Sequence, residues 1–163
     1  MSANNYLPHL VVLPEDDANR QLLVGFRNHH AVNSRQMPIQ PIAKGWLKAV
    51  ETFLEEHVVP MRSYPKRHFL MVVDFDNQLD RRDDIVSQIP TDLLERFYIL
   101  GCSDEPERLI ASLGTKFEAV GESLALDCVH NTNETWNHAM LAHNASELER
   151  LRVNVKPFLF PQG

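Results

Sequence analysis

The chain has 163 residues, enough for one domain, and its 44% hydrophobic and 23% charged residues are typical of a globular protein rather than a disordered or fibrous one. Its 16 lysines and arginines against 22 aspartates and glutamates give a net charge of −6, which argues against a protein that binds nucleic acid passively through a basic face. The longest apolar runs are much shorter than the roughly 20 residues of a membrane-spanning helix, and the first residues lack a basic and apolar leader. We therefore expect a single cytoplasmic domain, 1–163, that does not associate with a membrane.

Short apolar runs bounded by polar residues or proline predict four strands. Three of the runs are apolar throughout, which is typical of buried strands in a parallel sheet. The remaining run contains two prolines, which lack a backbone N–H, so we expect it at an edge of the sheet. The four predicted strands are Leu10–Leu13, Met37–Ile42, Phe69–Val73 and Phe97–Leu100.

Apolar residues at helical spacing, preceded by capping residues, predict helices between and after these strands. The predicted helices are a segment that starts at Asp16 or Asp17, then 44–57, 83–89, 104–113, 115–128 and 134–155, the last one broken near Asn144.

Strands and helices alternate through residue 113, which predicts an α/β fold. We expect a mostly parallel, four-stranded, Rossmann-like sheet flanked by helices in residues 8–113, with residues 115–160 forming a C-terminal helical extension. In parallel sheets, ligands bind outside the carboxyl ends of the strands. Here that edge is acidic, because the three buried strands lead into Glu15–Asp17, Asp74–Asp76 and Gly101–Asp104.

Asp74 and Asp76 are two residues apart at the end of a strand, so their carboxylates can point to the same side. Like charges this close raise each other's pKa unless a cation relieves them. Mg²⁺ takes oxygen ligands and usually uses one or two carboxylates with water and substrate phosphate. The sequence therefore predicts a Mg²⁺ or Mn²⁺ site at Asp74 and Asp76, with Glu15 as a third carboxylate if its strand lies beside theirs. Solvated loop acids and helix caps are the alternative.

The first buried strand ends in Glu15 and is followed by a helix, and about 60 residues later another buried strand ends in Asp74-Phe-Asp76. This pattern resembles the Toprim domain of topoisomerases, bacterial primases and small nucleases. The resemblance covers about residues 8–113. It implies that Asp74 and Asp76 bind Mg²⁺, and that Glu15 acts as a general acid/base or as a further ligand. It also implies phosphoryl transfer on nucleic-acid phosphodiesters, with a partner protein to hold the nucleic acid. An acidic residue after the last strand, Glu105 or Glu107, is similar to one in small stand-alone members.

The stretch from Val72 to Leu79 also resembles the first motif of haloacid-dehalogenase-type phosphatases. That resemblance implies Asp74 as a nucleophile, Asp76 as a general acid/base and Ser103 as a phosphate ligand. A non-catalytic α/β interaction module is the third possibility that the sequence leaves open.

Arg81 and Arg82 follow the second aspartate, and arginine forks fit phosphate oxygens. Arg81 is therefore a candidate catalytic residue, with an ordinary loop arginine as the alternative. Cys102 lies near the acidic edge but has no neighbouring histidine base, so we do not expect it to act as a nucleophile.

Cys128, His130, His138 and His143 are spaced unlike any zinc motif, and we expect no zinc site there. No glycine-rich phosphate-binding loop is present, which excludes a P-loop nucleoside triphosphatase.

Overall fold

The computed structural model of the chain describes residues 2–162 and has an α/β fold, as predicted. Three parallel strands form the sheet: β1 (His9–Pro14), β2 (Arg67–Val72) and β3 (Phe97–Leu100). Their order across the sheet is β1-β2-β3, with Leu70 opposite Val12 on one side and Tyr98 on the other.

The structure has three strands where the sequence predicts four. The proline-containing segment 37–42 pairs with β1 only through a single parallel bridge between Val12 and Ile39. The Val12 N–H donates to the Pro38 carbonyl at 3.0 Å, and the Gln40 N–H donates to the Val12 carbonyl at 2.8 Å. Pro38 and Pro41 have no N–H to donate, so a regular ladder does not form and this edge of the sheet is irregular.

Helices cover both faces of the sheet. They are α1 (Asp17–Asn28), α2 (Trp46–Thr52), α3 (Val58–Ser63), α4 (Arg81–Val86), α5 (Pro106–Leu113), α6 (Phe117–His130), α7 (Ala145–Asn154) and α8 (Lys156–Leu159), with a π-helix at Phe53–His57 between α2 and α3 and 3₁₀-helices at Ser34–Gln36, Thr91–Arg96 and Ala142–Asn144. None of the helices in residues 2–162 is long and apolar enough to cross a membrane.

Alternation along the strands divides the core into two parts, because successive side chains point to opposite faces. On one face, Val12, Leu70 and Leu100 pack against apolar side chains of α1, α5, α6, α7 and α8. On the other face, Leu13 and Met71 pack against side chains of α2, the π-helix and α3. The helices of residues 117–159 therefore belong to the same core as the sheet.

Helices α1 and α6 make a close contact through two glycines. A Cβ at Gly25 would overlap the Glu118 backbone, and a Cβ at Gly121 would overlap the Leu22 carbonyl oxygen. This contact holds α1 against α6, and the amino end of α1 lies beside the acidic edge of the sheet.

Candidate acidic site at the carboxyl edge of the sheet

Glu15 and Asp74 meet where two neighbouring strands end. Pro14 pairs with Val72 in the sheet, and the Glu15 N–H extends the ladder by donating to the Val72 carbonyl at 2.9 Å. The Glu15 side chain then turns towards β2, where its Oε2 accepts a 2.6 Å hydrogen bond from the backbone N–H of Asp74. The parallel pairing of β1 and β2 is therefore what brings together two acids 59 positions apart in the sequence.

Asn19, which the sequence analysis did not single out, connects α1 to this pair of acids. Its Nδ2 donates to Oδ1 of Asp16 and to Oδ1 of Asp74, each at 3.0 Å. Asp16 is the N-cap of α1, and its Oδ1 also accepts from the Asn19 N–H at 3.0 Å. A polar residue three positions after an N-cap, on the same helix face as Leu22 and Leu23, is the signal that could have identified it.

Burial is the main electrostatic feature of the site. Asp74 is 9% exposed, and burial, together with the charges of Asp16 and Glu15, raises the pKa of Asp74 to about 8, while the Asn19 hydrogen bond acts in the opposite direction. Burial also raises the pKa of Glu15, and its bond to the Asp74 backbone lowers it. Charged carboxylates are therefore costly here, and a bound cation would reduce that cost.

Asp76 lies beyond the end of β2, where strand alternation no longer sets the direction of a side chain. Asp76 and Asn77 have φ values of 49° and 59°, so the chain leaves the extended conformation directly after Phe75. The Asp76 side chain is 56% exposed and forms an ion pair with Arg81 at 3.0 Å. The alternation rule holds only while the backbone is extended, and a left-handed pair of residues ends it here.

Arg81 is buried among protein groups rather than free to meet a phosphate. Its Nη1 donates to the Asp74 carbonyl oxygen at 2.6 Å and to Oδ2 of Asp76 at 3.0 Å. Its guanidinium lies 4.8 Å from the centre of the Trp46 ring, and the residue is 7% exposed. Arg81 therefore fixes the loop that carries both aspartates.

Arg82 is also held by the protein, because it donates to the Ile99 carbonyl at 2.6 Å and to Oδ1 of Asn144 at 3.2 Å.

The end of the third strand contributes backbone rather than acid groups. A Cβ at Gly101 would overlap the Val73 carbonyl oxygen, so only glycine allows this approach. Cys102 is buried, and burial raises the pKa of its thiol to about 12, which keeps it protonated and unreactive. The backbone of Ser103 is held on both sides, since its N–H donates to Met140 and its carbonyl accepts from Asn77.

The acids that follow Ser103 belong to the start of α5. Asp104 forms an ion pair with Arg108 at 3.0 Å, and Glu105 immediately precedes the helix. Glu107 lies in its first turn.

The C-terminal histidines lie in separate environments. His138 shares a 3.0 Å hydrogen bond with the Ser112 hydroxyl, and the His143 ring contacts the Phe75 ring edge-on at 4.9 Å. Within residues 2–162, no three His, Cys, Asp or Glu side chains lie close enough together to hold a metal ion between them.

The donor atoms of the acidic edge nevertheless fit a hard divalent cation. Mg²⁺ needs only one or two carboxylates, because water and substrate complete its coordination. Asp74, Glu15 and Asp16 offer carboxylate oxygens, and Oδ1 of the fully buried Asn19 has no hydrogen-bond partner among the described residues. Oxygen-only donors exclude metals that prefer sulfur or imidazole.

Comparisons with protein-family models, with curated proteins and with solved structures give no match for this chain.

Proposed function

We propose that the chain is a Toprim-like phosphoryl-transfer protein that depends on Mg²⁺ or Mn²⁺ and acts on nucleic-acid phosphodiesters, most simply as a nuclease. The observation that carries this proposal is the 2.6 Å contact between Oε2 of Glu15 and the N–H of Asp74. It joins the glutamate and the first aspartate of the Toprim-like pattern at the edge of the sheet where ligands bind.

Asp74 would hold the cation, and Glu15 and Asp76 are proposed as further ligands that cation binding would have to draw together, since no three such side chains of residues 2–162 meet at one point. The cation, when bound, supplies positive charge that stabilises a phosphoryl group during transfer. Asp74 fits this role because its carboxylate is buried beside other acids, and because the partner of its Oδ1 is the neutral Asn19 amide rather than a positively charged group. Asp76 is exposed on the rim, where substrate and water can reach it.

Glu15 is the proposed general acid/base. Because burial raises its pKa, the carboxyl group is closer to the pH range in which proton exchange is useful. Arg81 contributes by holding the Asp74 carbonyl and the Asp76 carboxylate in place, so its proposed role is to position the two aspartates.

The net charge of −6 bears on how the substrate is held. Phosphodiesters are repelled by an acidic surface, and nucleic-acid affinity usually comes from lysine and arginine contacts to phosphates. We therefore propose that a basic partner protein holds the nucleic acid while this chain supplies the acidic site.

The geometry supports a phosphatase with Asp74 as nucleophile less well. A nucleophilic carboxylate must reach the phosphorus atom, and Asp74 is only 9% exposed. Its Oδ1 is moreover bonded to a buried amide.

Cleavage of labelled DNA and RNA with Mn²⁺, with para-nitrophenyl phosphate assayed in parallel, tests the proposal. Glu15→Gln keeps an oxygen for the Asp74 N–H, so we expect it to retain Mn²⁺ binding by calorimetry and to lose cleavage. Asp74→Asn should lose both. Two exposed acids serve as matched controls, since Glu51→Gln and Asp92→Asn should leave both properties unchanged.

Undiminished cleavage by Glu15→Gln would overturn the role of that residue. Mn²⁺ heats that are equal for the wild type and Asp74→Asn would overturn the metal site. Hydrolysis of para-nitrophenyl phosphate alone, lost in Asp74→Asn, would favour the phosphatase alternative.

A further inference from the structure

A second cleft lies away from the acidic edge, between β1, the irregular segment 38–43 and the π-helix. Its volume is about 620 Å³, within the range of small-molecule sites. Val11 and Leu13 of β1 contribute apolar lining, while His57 and Arg67 contribute polar groups. Arg67 begins β2 and Asp74 follows its end, so the positive charge of the cleft and the acidic site are at opposite ends of the central strand, while the cleft itself extends along β1 as far as Ala43.

Arg67 brings a positive charge into this cleft without a matching carboxylate. Its Nε donates to Nε2 of His9 at 2.9 Å, its Nη2 donates to Oδ1 of Asn5 at 3.2 Å, and its guanidinium lies 5.1 Å from the centre of the Tyr64 ring. Burial lowers the pKa of Arg67, and no ion pair of the described residues includes it. Burying a charge that lacks a counter-ion is costly, so an anion here would be stabilising.

His57 is the second polar group that lines the cleft. It is 8% exposed, and its ring packs against Phe69 at 4.8 Å and Phe53 at 6.4 Å between ring centres. Burial lowers the pKa of His57, and its ring makes no hydrogen bond within residues 2–162. Both ring nitrogens are therefore available to a ligand.

The backbone at His57 is unusual as well. Phe53–His57 form a π-helix, a rare conformation that is frequent at functional sites. The wider turn ends at His57, where the chain continues as α3, and it places the imidazole against the cleft.

We propose that this cleft binds a small carboxylate with a short branched apolar body, in which Arg67 binds the carboxylate, His57 adds a hydrogen bond, and the more exposed lining of segment 38–42 contacts the apolar part. A monoanion is favoured because one guanidinium supplies the positive charge and Glu56 lies on the rim. A dianion such as phosphate would meet repulsion from Glu56 and from the net charge of −6.

The test is a titration of the full chain with 3-methylbutanoate, followed by amide chemical shifts in NMR spectra at neutral pH. The neutral 3-methylbutanamide and inorganic phosphate are titrated in parallel. We expect the carboxylate to shift resonances around the cleft and to bind about tenfold or more tightly than the amide, since a hydrogen bond to a charged group is the stronger kind. Phosphate should bind more weakly than the carboxylate.

Three variants make the assignment specific. Arg67→Gln should weaken carboxylate binding by about tenfold or more, because it removes the charge. Arg62→Gln is the matched control, as Arg62 is an exposed arginine that pairs with Asp92 outside the cleft. His57→Phe keeps the ring packing and should weaken binding by about threefold to tenfold through the lost hydrogen bond.

Arg67→Gln also loses the bonds to His9 and Asn5, so Ala3→Leu provides a test that leaves Arg67 in place. Ala3 lines the cleft two positions from Asn5, and the larger side chain should displace the ligand. Equal binding of carboxylate and amide would overturn the proposal, as would full affinity in Arg67→Gln or in Ala3→Leu. The absence of any shift with the carboxylate would overturn it as well. None of these outcomes bears on Mn²⁺ binding at Asp74.

Discussion

The two ends of β2 hold opposite charges in similar surroundings. Beyond the carboxyl end, the Asp74 carboxylate is buried beside the neutral Asn19 amide and close to Glu15. At the amino end, the Arg67 guanidinium is partly buried beside the neutral groups of His9 and Asn5. Among residues 2–162, neither charge forms an ion pair, whereas Arg81 pairs with the Asp76 carboxylate.

The comparison suggests that each end of the strand is suited to a ligand of the opposite sign. A cation would relieve the buried acid at one end, and an anion would relieve the buried base at the other. The titrating groups at the two ends should also affect the free energy of unfolding in opposite directions as the pH changes.

Gly101→Ala should damage the carboxyl end most, because its Cβ would overlap the Val73 carbonyl oxygen in the tightest part of the sheet. We expect the free energy of unfolding, measured in urea, to fall by at least about 3 kcal/mol. Gly114→Ala is the control, since that glycine has φ 66° and open space around it, and should cost about 1 kcal/mol. Equal losses in the two variants would mean that the strand ends are less tightly held than the structure indicates.

Asp74→Asn should make the protein more stable above neutral pH when divalent cations are chelated. The folded-state pKa of about 8 lies above the ordinary value of 3.8, so stability is fully present below the lower value and is lost as the pH rises through the higher one. After allowance for screening, we expect the variant to gain about 2 kcal/mol at pH 8 and nothing at pH 3. Urea unfolding at a series of pH values measures this, and a variant that parallels the wild type throughout would contradict the burial of a charged Asp74.

Much of this architecture could be predicted from the sequence, and the reason lies in the strands. The predicted Leu10–Leu13 and Phe69–Val73 correspond to β1 and β2, because a short, fully apolar run has few alternatives to a buried strand. The meeting of Glu15 with Asp74 follows from parallel pairing alone. Among the predicted strands only the edge segment differs, where prolines interrupt the ladder, and of the predicted helix 134–155 only the part from Ala145 to Asn154 is α-helical.

The conformation of the Asp76 turn and the burial of Arg81 depend on tertiary contacts, which cannot be predicted from a local sequence pattern. The turn at Asp76 needs two consecutive residues with positive φ, and aspartate and asparagine only permit that conformation. The burial of Arg81 depends on Trp46, which is 35 positions away in the sequence. The π-helix likewise has no distinct sequence signature.

His68→Phe should reveal the opposite pH dependence near the amino end. Burial and the nearby charges of Arg96 and His9 lower the pKa of His68 to about 4, so the neutral ring is preferred in the folded protein. Because the folded-state value lies below the ordinary 6.5, stability is lost as the pH falls from 6.5 towards 4.

Phenylalanine keeps the ring contacts with Tyr98 and Phe158 and cannot titrate, and it loses the 3.1 Å hydrogen bond between His68 Nδ1 and the Tyr98 hydroxyl at both pH values alike. We expect the acid-induced loss between those pH values to shrink by about 1 kcal/mol after screening is taken into account. Urea unfolding at pH 6.5 and pH 4 measures it, with the exposed His130→Gln as control. An unchanged acid dependence in His68→Phe would assign the effect to another group.

Asp76→Asn should have the smallest effect, and it tests the one arginine of this comparison that has a carboxylate partner. Asparagine tolerates the positive φ at this position, so the substitution changes the charge and little else. Because the Asp76 side chain is 56% exposed and Arg81 keeps its bond to the Asp74 carbonyl, we expect a loss of about 0.5 kcal/mol in urea unfolding. The loss should shrink in about 1 M salt, where charges are screened beyond about 3 Å. A loss of stability that is several times larger and insensitive to salt would show that burial of Arg81 depends on its ion pair with Asp76. In the variant, Arg81 would then be a buried charge without a counter-ion, like the charged groups at the two ends of β2.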